Sequence, residues 1–450
     1  MSPKLNLWVD VGGTFTDAIL WSEPSPGKET TYRSLKVLSS GRTRGILVTR
    51  RNPRQFIVNG LPNCGRDFWV SSQISIGLPS NPPFATTIVA SDDSWLELAV
   101  EPPGFIGSGA SEFPVPFEMT CGLESPVLAA HILLDVPLQS KLPPIHVRLG
   151  TTRGTNALLT RNGADVGLCI TQGFGDIPYI GNQDRPDLFA LHVQKILPLC
   201  REIVEIKERI DAQGKILSPL QTDGLRKTFA AWKAQGIRSI AIVLMHSYIT
   251  PTHELRVADI AQEFGFDEVI CSSNISPVRK LLSRCDTSLV DAYLSPVIND
   301  YLQVVQKQFG FHRDSQLQVM TSAGSLVQAA EFRGKDSVLS GPAGGVVAVQ
   351  ELIKQSGCEA ALAFDMGGTS TDVSRCTRDE LPLQYDTVKA GVRIVTPILS
   401  IHTVAAGGGS ICNFDGVQMH VGPASAGSYP GPACYGQGGP LTITDINLLL

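Results

Sequence analysis

The sequence predicts an α/β protein of at least two domains built around an internal duplication. Three observations carry that expectation. A chain of 450 residues exceeds what one hydrophobic core ordinarily serves. One short motif occurs twice, as Asp10-Val11-Gly12-Gly13-Thr14-Phe15-Thr16-Asp17 and Asp365-Met366-Gly367-Gly368-Thr369-Ser370-Thr371-Asp372, with six of eight letters shared. Between the copies, apolar runs of strand length alternate with segments of helical period.

Composition narrows the class. Apolar residues make up 43% and charged residues 18%, with 43 Gly and 30 Pro dispersed among them, which is globular rather than disordered or fibrous. The net charge is -5 and basic residues never run longer than a pair, so nucleic acid is excluded as a partner. The opening run Leu5-Asn6-Leu7-Trp8-Val9 meets Asp10 far short of a secretory core, and no apolar stretch reaches bilayer length. No membrane association and a cytoplasmic location are therefore expected. The ten cysteines form no Cys-x-x-Cys and read as reduced core residues, not a disulfide scaffold or zinc ribbon.

Along the chain, each copy of the repeat follows an apolar run (Leu5 to Val9; Ala361 to Phe364) and precedes another (Ala18-Ile19-Leu20; Val373-Ser374). This is strand, glycine turn, strand, twice over. Paired glycines permit positive φ and close approach to a ligand, while successive N–H groups and Thr hydroxyls can surround phosphate oxygens. An Asp at the strand end can hold magnesium against the same phosphates. One such turn is weak, since most Gly-Gly hairpins bind nothing; two matching copies are hard to dismiss.

Residues 1–50 open the first lobe. A segment at 51–146 holds 13 of the 30 prolines and is broken into β-like runs such as Val70 to Ile76 and Phe84 to Val89, so it reads as a mostly β insertion. Residues 147–335 form the remainder of the first lobe and an α/β middle region. There Val166 to Ile170 and Ile240 to Met245 are strands, Thr222 to Gln235 is a helix with Leu225, Phe229 and Trp232 inward, and Thr252 opens another. Arg153, Asn156, Arg185 and Asp187 are substrate candidates because polar groups in Gly-rich or Pro-kinked loops lie where an α/β cleft opens; loop capping and surface ion pairs are the alternative. His246 and His253 lack a His-Glu-x-x-His helix or a third ligand and read as packed or hydrogen-bonded. No Gly-x-Ser-x-Gly elbow is present, and Cys434 reads as a turn residue.

Residues 336–450 form the second lobe. Gly341, Gly344 and Gly345 lie in a loop before a helix from Val346 to Ile353, whose first amides could meet an anion. Gly407-Gly408-Gly409 either completes the same pocket or is a hinge. Thr444 and Asp445 open a capped helix that runs onto Leu448-Leu449-Leu450, from which a fragment, or a protein that needs a partner, is expected.

These segments, with Gly150-Thr151-Thr152-Arg153-Gly154-Thr155-Asn156, Arg185-Pro186-Asp187-Leu188-Phe189, Ser272 to Pro277 and Gly431-Pro432-Ala433-Cys434-Tyr435-Gly436, come in an order that resembles the hydantoinase A/oxoprolinase family, most of all its ATP-dependent 5-oxoprolinase branch. The resemblance implies an actin-like (sugar kinase/Hsp70-type) duplicated ATPase fold whose two lobes grip ATP in the cleft between them. It implies that Gly12, Gly13, Thr14 and Thr16, with Gly367, Gly368, Thr369 and Thr371, surround the phosphates. Gly341, Gly344 and Gly345 would lie by the adenosine, and Asp10 and Asp365 would act in catalysis and hold Mg²⁺.

The activity so implied is ATP-dependent hydrolysis of a cyclic amide, 5-oxo-L-proline, to L-glutamate with release of ADP and phosphate. A hydantoinase B-like region or subunit is the implied partner, and a homo-oligomer is expected. The alternatives are an ATP-dependent hydantoinase, an acetone carboxylase-like subunit, or a non-catalytic actin-like nucleotide-binding module.

Overall fold

The computed structural model describes residues 5–22, 30–77, 83–103, 113–183, 189, 191–192, 195–311, 315–427 and 430–450. The chain divides into two compact units, Met1–Thr151 with Asp300–Val319 and Leu326–Ala330, and Thr152–Asn299 with Met320–Ser325 and Glu331–Leu450.

In the first unit, strand Leu5–Val11 sits inside a six-stranded sheet. It pairs antiparallel with Phe15–Ser22, which in turn pairs with Tyr32–Leu38. On its other edge it pairs in parallel with Ile145–Thr151, which is followed by Gln316–Met320 and Leu326–Gln328. Period-two alternation turns Leu7, Val9, Val11, Ala18 and Leu20 to one buried face. Helix Ser125–Leu134 covers that face, with the Ser125 and Thr16 hydroxyls 2.8 Å apart. Its near-uniform Val, Leu, Ala and Ile content suits a helix buried all round, and Asp135 ends it in a left-handed conformation at φ 53°.

Between the third strand and this helix stands a closed six-stranded barrel formed by Arg42–Asn52, Gln55–Asn59, Trp95–Leu98, Phe84–Asp92, Gln73–Ile76 and Val115–Thr120 in that order. Its alternating strands bury Leu47, Phe56, Ile74, Ile76, Leu96 and Phe117, and closure removes the free edges that short strands would otherwise expose. The β element thus runs from 42 to 120 rather than over 51–146. Its first strand begins at Arg42, where Arg44 pairs with Glu118 on the outside at 3.0 Å, and beyond Thr120 the chain turns helical.

The second unit carries a four-stranded parallel sheet in the order Cys200–Ile206, Val166–Thr171, Ser239–Val243, Glu268–Cys271. Helices Leu225–Ala234 and Thr252–Gln262 pack on it through Phe229, Trp232, Val257 and Ile260. The sequence placed two of these strands, Val166–Thr171 and Ser239–Val243, and both helices within a few residues. The division expected at 335/336 differs from the one observed, at 151/152, and the core explains why. Leu168, Ile170, Leu289 and Tyr293 share one apolar cluster with Val338, Ala343, Ile398 and Leu399, so residues 152–299 fold with 336–450. In the same unit, Ala360–Met366, Thr371–Thr377 and His402–Val404 form a three-stranded antiparallel sheet, and helix Ser340–Ser356 packs beside the first two strands. Among the described residues no helix is long and apolar enough to cross a membrane.

Candidate functional site: the twin glycine turns

The two copies of the repeat fold into hairpins of identical register. Asp10 stands opposite Asp17 and Val11 opposite Thr16; Asp365 stands opposite Asp372 and Met366 opposite Thr371. Each four-residue bend is closed by one bond, from Gly12 N–H to the Phe15 carbonyl at 3.0 Å and from Gly367 N–H to the Ser370 carbonyl at 2.9 Å. The glycines do not act through positive φ, since none of Gly12, Gly13, Gly367 and Gly368 is left-handed. They act through room. A Cβ on Gly12 would lie 2.9 Å from the Phe15 carbonyl oxygen, whereas one on Gly13 or Gly368 would meet nothing within 4 Å.

Gly13, Thr14, Gly368 and Thr369 are exposed at the two tips. Thr16 and Thr371 are not, because alternation turns them inward. The Thr16 hydroxyl bonds with those of Ser39 and Ser125 at 3.0 and 2.8 Å, and that of Thr371 donates to the Ala406 carbonyl. Both threonines brace their turns instead of presenting hydroxyls to a ligand. The register also supplies what the sequence reading passed over, a second carboxylate beside each first. Asp17 receives Lys36 Nζ at 2.6 Å, and Asp372 receives the Thr403 hydroxyl at 2.7 Å. Among the described residues no cluster of three or more metal-ligating side chains exists. Two carboxylates at each turn nevertheless suit a magnesium ion that takes its remaining ligands from water and phosphate oxygens.

Around the second turn the setting is built. A cavity of about 220 Å³ is lined by Asp365, Asp372 and Ser374 together with Pro342, Gly345 and Val346. The glycine cluster at 341–345 is not a loop: helix Ser340–Ser356 already includes it. Ala343 N–H donates within the helix to Leu339, so few amides are left for an anion. What Gly344 and Gly345 offer is open space, since a Cβ on either would meet nothing within 4 Å. A bare helix face beside two carboxylates is a cradle that side chains would fill.

The fourth glycine cluster supports the second turn directly. Gly408 N–H donates to the Gly367 carbonyl at 2.9 Å and Gly409 N–H to that of Gly368 at 2.7 Å. A Cβ on Gly407 would stand 2.7 Å from the Gly367 oxygen and the Thr369 nitrogen. Gly407→Ala must therefore displace the turn, and urea unfolding is expected to show a loss of about 1–3 kcal/mol; an unchanged midpoint would mean that the turn yields freely. Thr444 anchors the final helix to the same place, its hydroxyl donating to the Gly408 carbonyl at 2.8 Å. Asp445 accepts from the N–H groups of Cys434 and Thr442, both at 2.7 Å. Although burial opposes it, bonds from Cys434 and Thr442 hold this carboxyl well below the usual range.

The remaining candidates fall elsewhere. Arg153 and Asn156 are on helix Arg153–Leu159, not in a loop; that helix lies against 334–338, where a Cβ on Gly154 would stand 2.0 Å from the Ser337 hydroxyl oxygen. Arg185 and Asp187 lie outside the described residues. His253 bonds with Glu208 at 2.8 Å. His246 takes a left-handed φ of 57°, and its Nδ1 is buried with no hydrogen-bond partner. The cysteines are unpaired, and burial pushes the Cys64 and Cys271 thiols up to about 12, which leaves them inert as nucleophiles.

The second unit also holds a cavity of about 570 Å³, lined in part by Tyr179, Leu282, Leu289, Asp286 and Arg393. Arg393 is paired with Asp386, Nε to Oδ1 at 2.8 Å. Burial pushes the Asp286 carboxyl up to about 7 while Arg393 pulls the other way. Between about pH 4 and 7 the folded chain keeps a proton that the unfolded chain has lost, so Asp286 costs stability as pH rises through that window. Asp286→Asn is expected to gain on wild type by roughly 4 kcal/mol across it and to level off above pH 7. A pH-independent difference in thermal unfolding would refute the assignment.

Residues 284–450 match the family model described as hydantoinase/oxoprolinase, and residues 133–265 match its companion, the hydantoinase/oxoprolinase N-terminal region. A 5-oxoprolinase of Saccharomyces cerevisiae is 43% identical over 332 residues, covering 68% of this chain and 26% of that protein. Among solved structures, ATP-dependent caprolactamase from Pseudomonas jessenii aligns with a TM-score of 0.62 at 23% identity, over 99% of this chain and 54% of that one. Acetone carboxylase in its nucleotide-free form aligns at 0.60 and 22%, over 100% and 55%. These likenesses show a shared mixed α/β fold, and the chain spans about a quarter of the length of the yeast protein it matches.

Proposed function

Since the chain belongs to the hydantoinase/oxoprolinase family, we propose that it carries the ATP-dependent step of cyclic amide hydrolysis, with 5-oxo-L-proline as substrate. The observation that carries this reading is the pair of hairpins in one register, each with an exposed glycine tip and two facing carboxylates. In this reading the fold is of the actin-like duplicated ATPase kind.

An unstrained lactam resists water because amide resonance weakens the carbonyl as an electrophile and leaves a poor leaving group. Transfer of the γ-phosphoryl group of ATP to the amide oxygen removes that resonance; water then adds to the carbon, the C–N bond breaks as the ring nitrogen takes a proton and leaves, and a second water releases phosphate from the resulting acyl phosphate to give L-glutamate. For this chain the work is positioning and charge neutralisation. The exposed tips, with the N–H groups of Gly13 and Thr14 in one turn and of Gly368 and Thr369 in the other, orient phosphate oxygens, while Gly12 and Gly367 close the bends through their own N–H groups. Asp10 and Asp365, each with its cross-strand neighbour Asp17 or Asp372, would hold Mg²⁺, which when bound neutralises phosphate charge. The bare face at Gly344 and Gly345 leaves room for the nucleoside. A hydantoinase B-like polypeptide is the proposed partner in completing hydrolysis.

The test is phosphate release from ATP by the chain together with such a partner. Stimulation by 5-oxoproline, and not by hydantoin or acetone, is the expected result. Tight nucleotide binding with no response to any of the three would favour a non-catalytic module.

A further inference from the structure

The duplication provides an internal control on what each half should bury. Aligned on Asp10 and Asp365, residues Leu7, Val9 and Val11 correspond to Leu362, Phe364 and Met366. In the first copy these side chains are 0%, 4% and 3% exposed; in the second they are 71%, 69% and 42% exposed. All three point to the same face of their strand, the one shared with Thr16 in one copy and Thr371 in the other.

The first copy shows what covers that face. Helix Ser125–Leu134 begins at the turn, through the Ser125–Thr16 contact, and lies over the hairpin. The chain then enters strand Ile145–Thr151, which pairs in parallel along the free edge of Leu5–Val11. In the second copy helix Ser340–Ser356 lies on the opposite face, where Ala361, Ala363 and Cys376 point; the Cys376 thiol donates to the Val346 carbonyl at 3.9 Å. Strand Ala360–Met366 is the edge strand of its described sheet. Helix Ile443–Leu449 starts at the second turn, through the Thr444–Gly408–Gly367 bonds, as helix Ser125–Leu134 starts at the first. Its Leu448 and Leu449 remain 71% and 85% exposed. Three large apolar side chains in a row on an open edge mark an interaction surface, since a lone sheet edge of this kind otherwise invites pairing with other chains.

We propose that the sheet of Ala360–Met366, Thr371–Thr377 and His402–Val404 is a docking surface for a helix–strand segment, its helix laid on Leu362, Phe364 and Met366 and its strand paired in parallel along Ala360–Met366. The register of the first copy gives the chemistry of the occupant: a strand apolar at alternate positions, as Ile145, Val147 and Leu149 are, preceded by a helix of Val, Leu, Ile and Ala. The supplier is polypeptide of the kind that the longer relatives carry outside the residues matched here, given that the matched part makes up 26% of the yeast 5-oxoprolinase.

The test co-expresses this chain with the stretch of yeast 5-oxoprolinase that directly follows its matched residues. A one-to-one complex is expected, with hydrogen exchange at the 360–366 amides slowed by about tenfold or more. The double variant Leu362→Lys/Phe364→Lys changes only exposed positions, so it should keep the melting temperature of the chain alone and lose the complex. No complex with the wild-type chain, or a complex indifferent to the two lysines, would overturn the proposal. So would a homodimer of the wild-type chain that the lysines dissolve, because a second copy would then be the occupant.

Discussion

Asp365→Asn is expected to lower ATP turnover by about 100- to 1,000-fold while leaving the fold intact, and Asp10→Asn to do the same, if the proposed reaction holds. The size follows from what a carboxylate at this place supplies. In the proposed reaction a carboxylate that holds Mg²⁺ would keep the cation where transition-state charge is spread over the phosphoryl oxygens, and removal of one well-placed electrostatic partner in such a site costs a factor of this order. The amide is nearly isosteric, both residues are exposed, and both strands keep their ladder bonds, so stability should move by no more than about 0.5 kcal/mol. Asp17→Asn and Asp372→Asn serve as the graded comparison. Each of these lies across the hairpin and already bonds a neighbour, Lys36 or Thr403, so a smaller drop is expected. Full activity in either Asp10→Asn or Asp365→Asn would remove that turn from the reaction.

The turns were legible in the sequence because one local constraint was written twice in nearly the same letters. Their inner residues were legible only in part. Thr16 and Thr371 belong to the motif, but the period of two that places Val9 and Val11 inside also turns these threonines inward, and composition alone does not separate a bracing hydroxyl from a binding one. The cluster at 341–345 was misplaced for a related reason. Glycine is a poor helix former, so a reading by propensity ends the helix at Val346, whereas packing of Val346, Gln350 and Ile353 carries the helix back to Ser340. The barrel was seen as β but started nine residues late, because its first strand, Arg42–Asn52, is rich in arginine. The charges of Arg42 and Arg44 face outward to Glu118, which local sequence does not reveal. The cavity around Asp286 was not legible at all, since it needs a helix near 286 and a strand near 393 to meet.

Arg284→Met is expected to cost about 3–5 kcal/mol, the largest stability loss in the molecule. Arg284 is fully buried, and so is Glu254. The guanidinium donates to the Ser272 hydroxyl at 2.8 Å, to the Val278 carbonyl at 3.0 Å, and to the Leu244 carbonyl. Ser272 passes its own proton on to Glu254 at 2.6 Å, and Glu254 also accepts from the N–H groups of Leu244 and Ser273, both at 2.9 Å. One hydroxyl thus joins a buried cation to a buried anion at the ends of strands Ser239–Val243 and Glu268–Cys271. Removing the cation takes the counter-charge from the buried carboxylate and the guanidinium donors from the Val278 and Leu244 carbonyls, of which that of Leu244 keeps the Ser247 N–H at 3.3 Å. Glu254→Gln in the same background relieves the stranded charge, so the double variant should lose clearly less than the sum of the singles, with a coupling of about 1–3 kcal/mol. Additive losses in urea unfolding would mean that each group is satisfied separately, and a loss below about 1 kcal/mol for Arg284→Met would mean that water reaches the site. The same network closes the end of the parallel sheet where both strands stop. Its rupture should therefore speed hydrogen exchange in Ser239–Val243 and Glu268–Cys271 before it touches the barrel, whose core shares none of these residues.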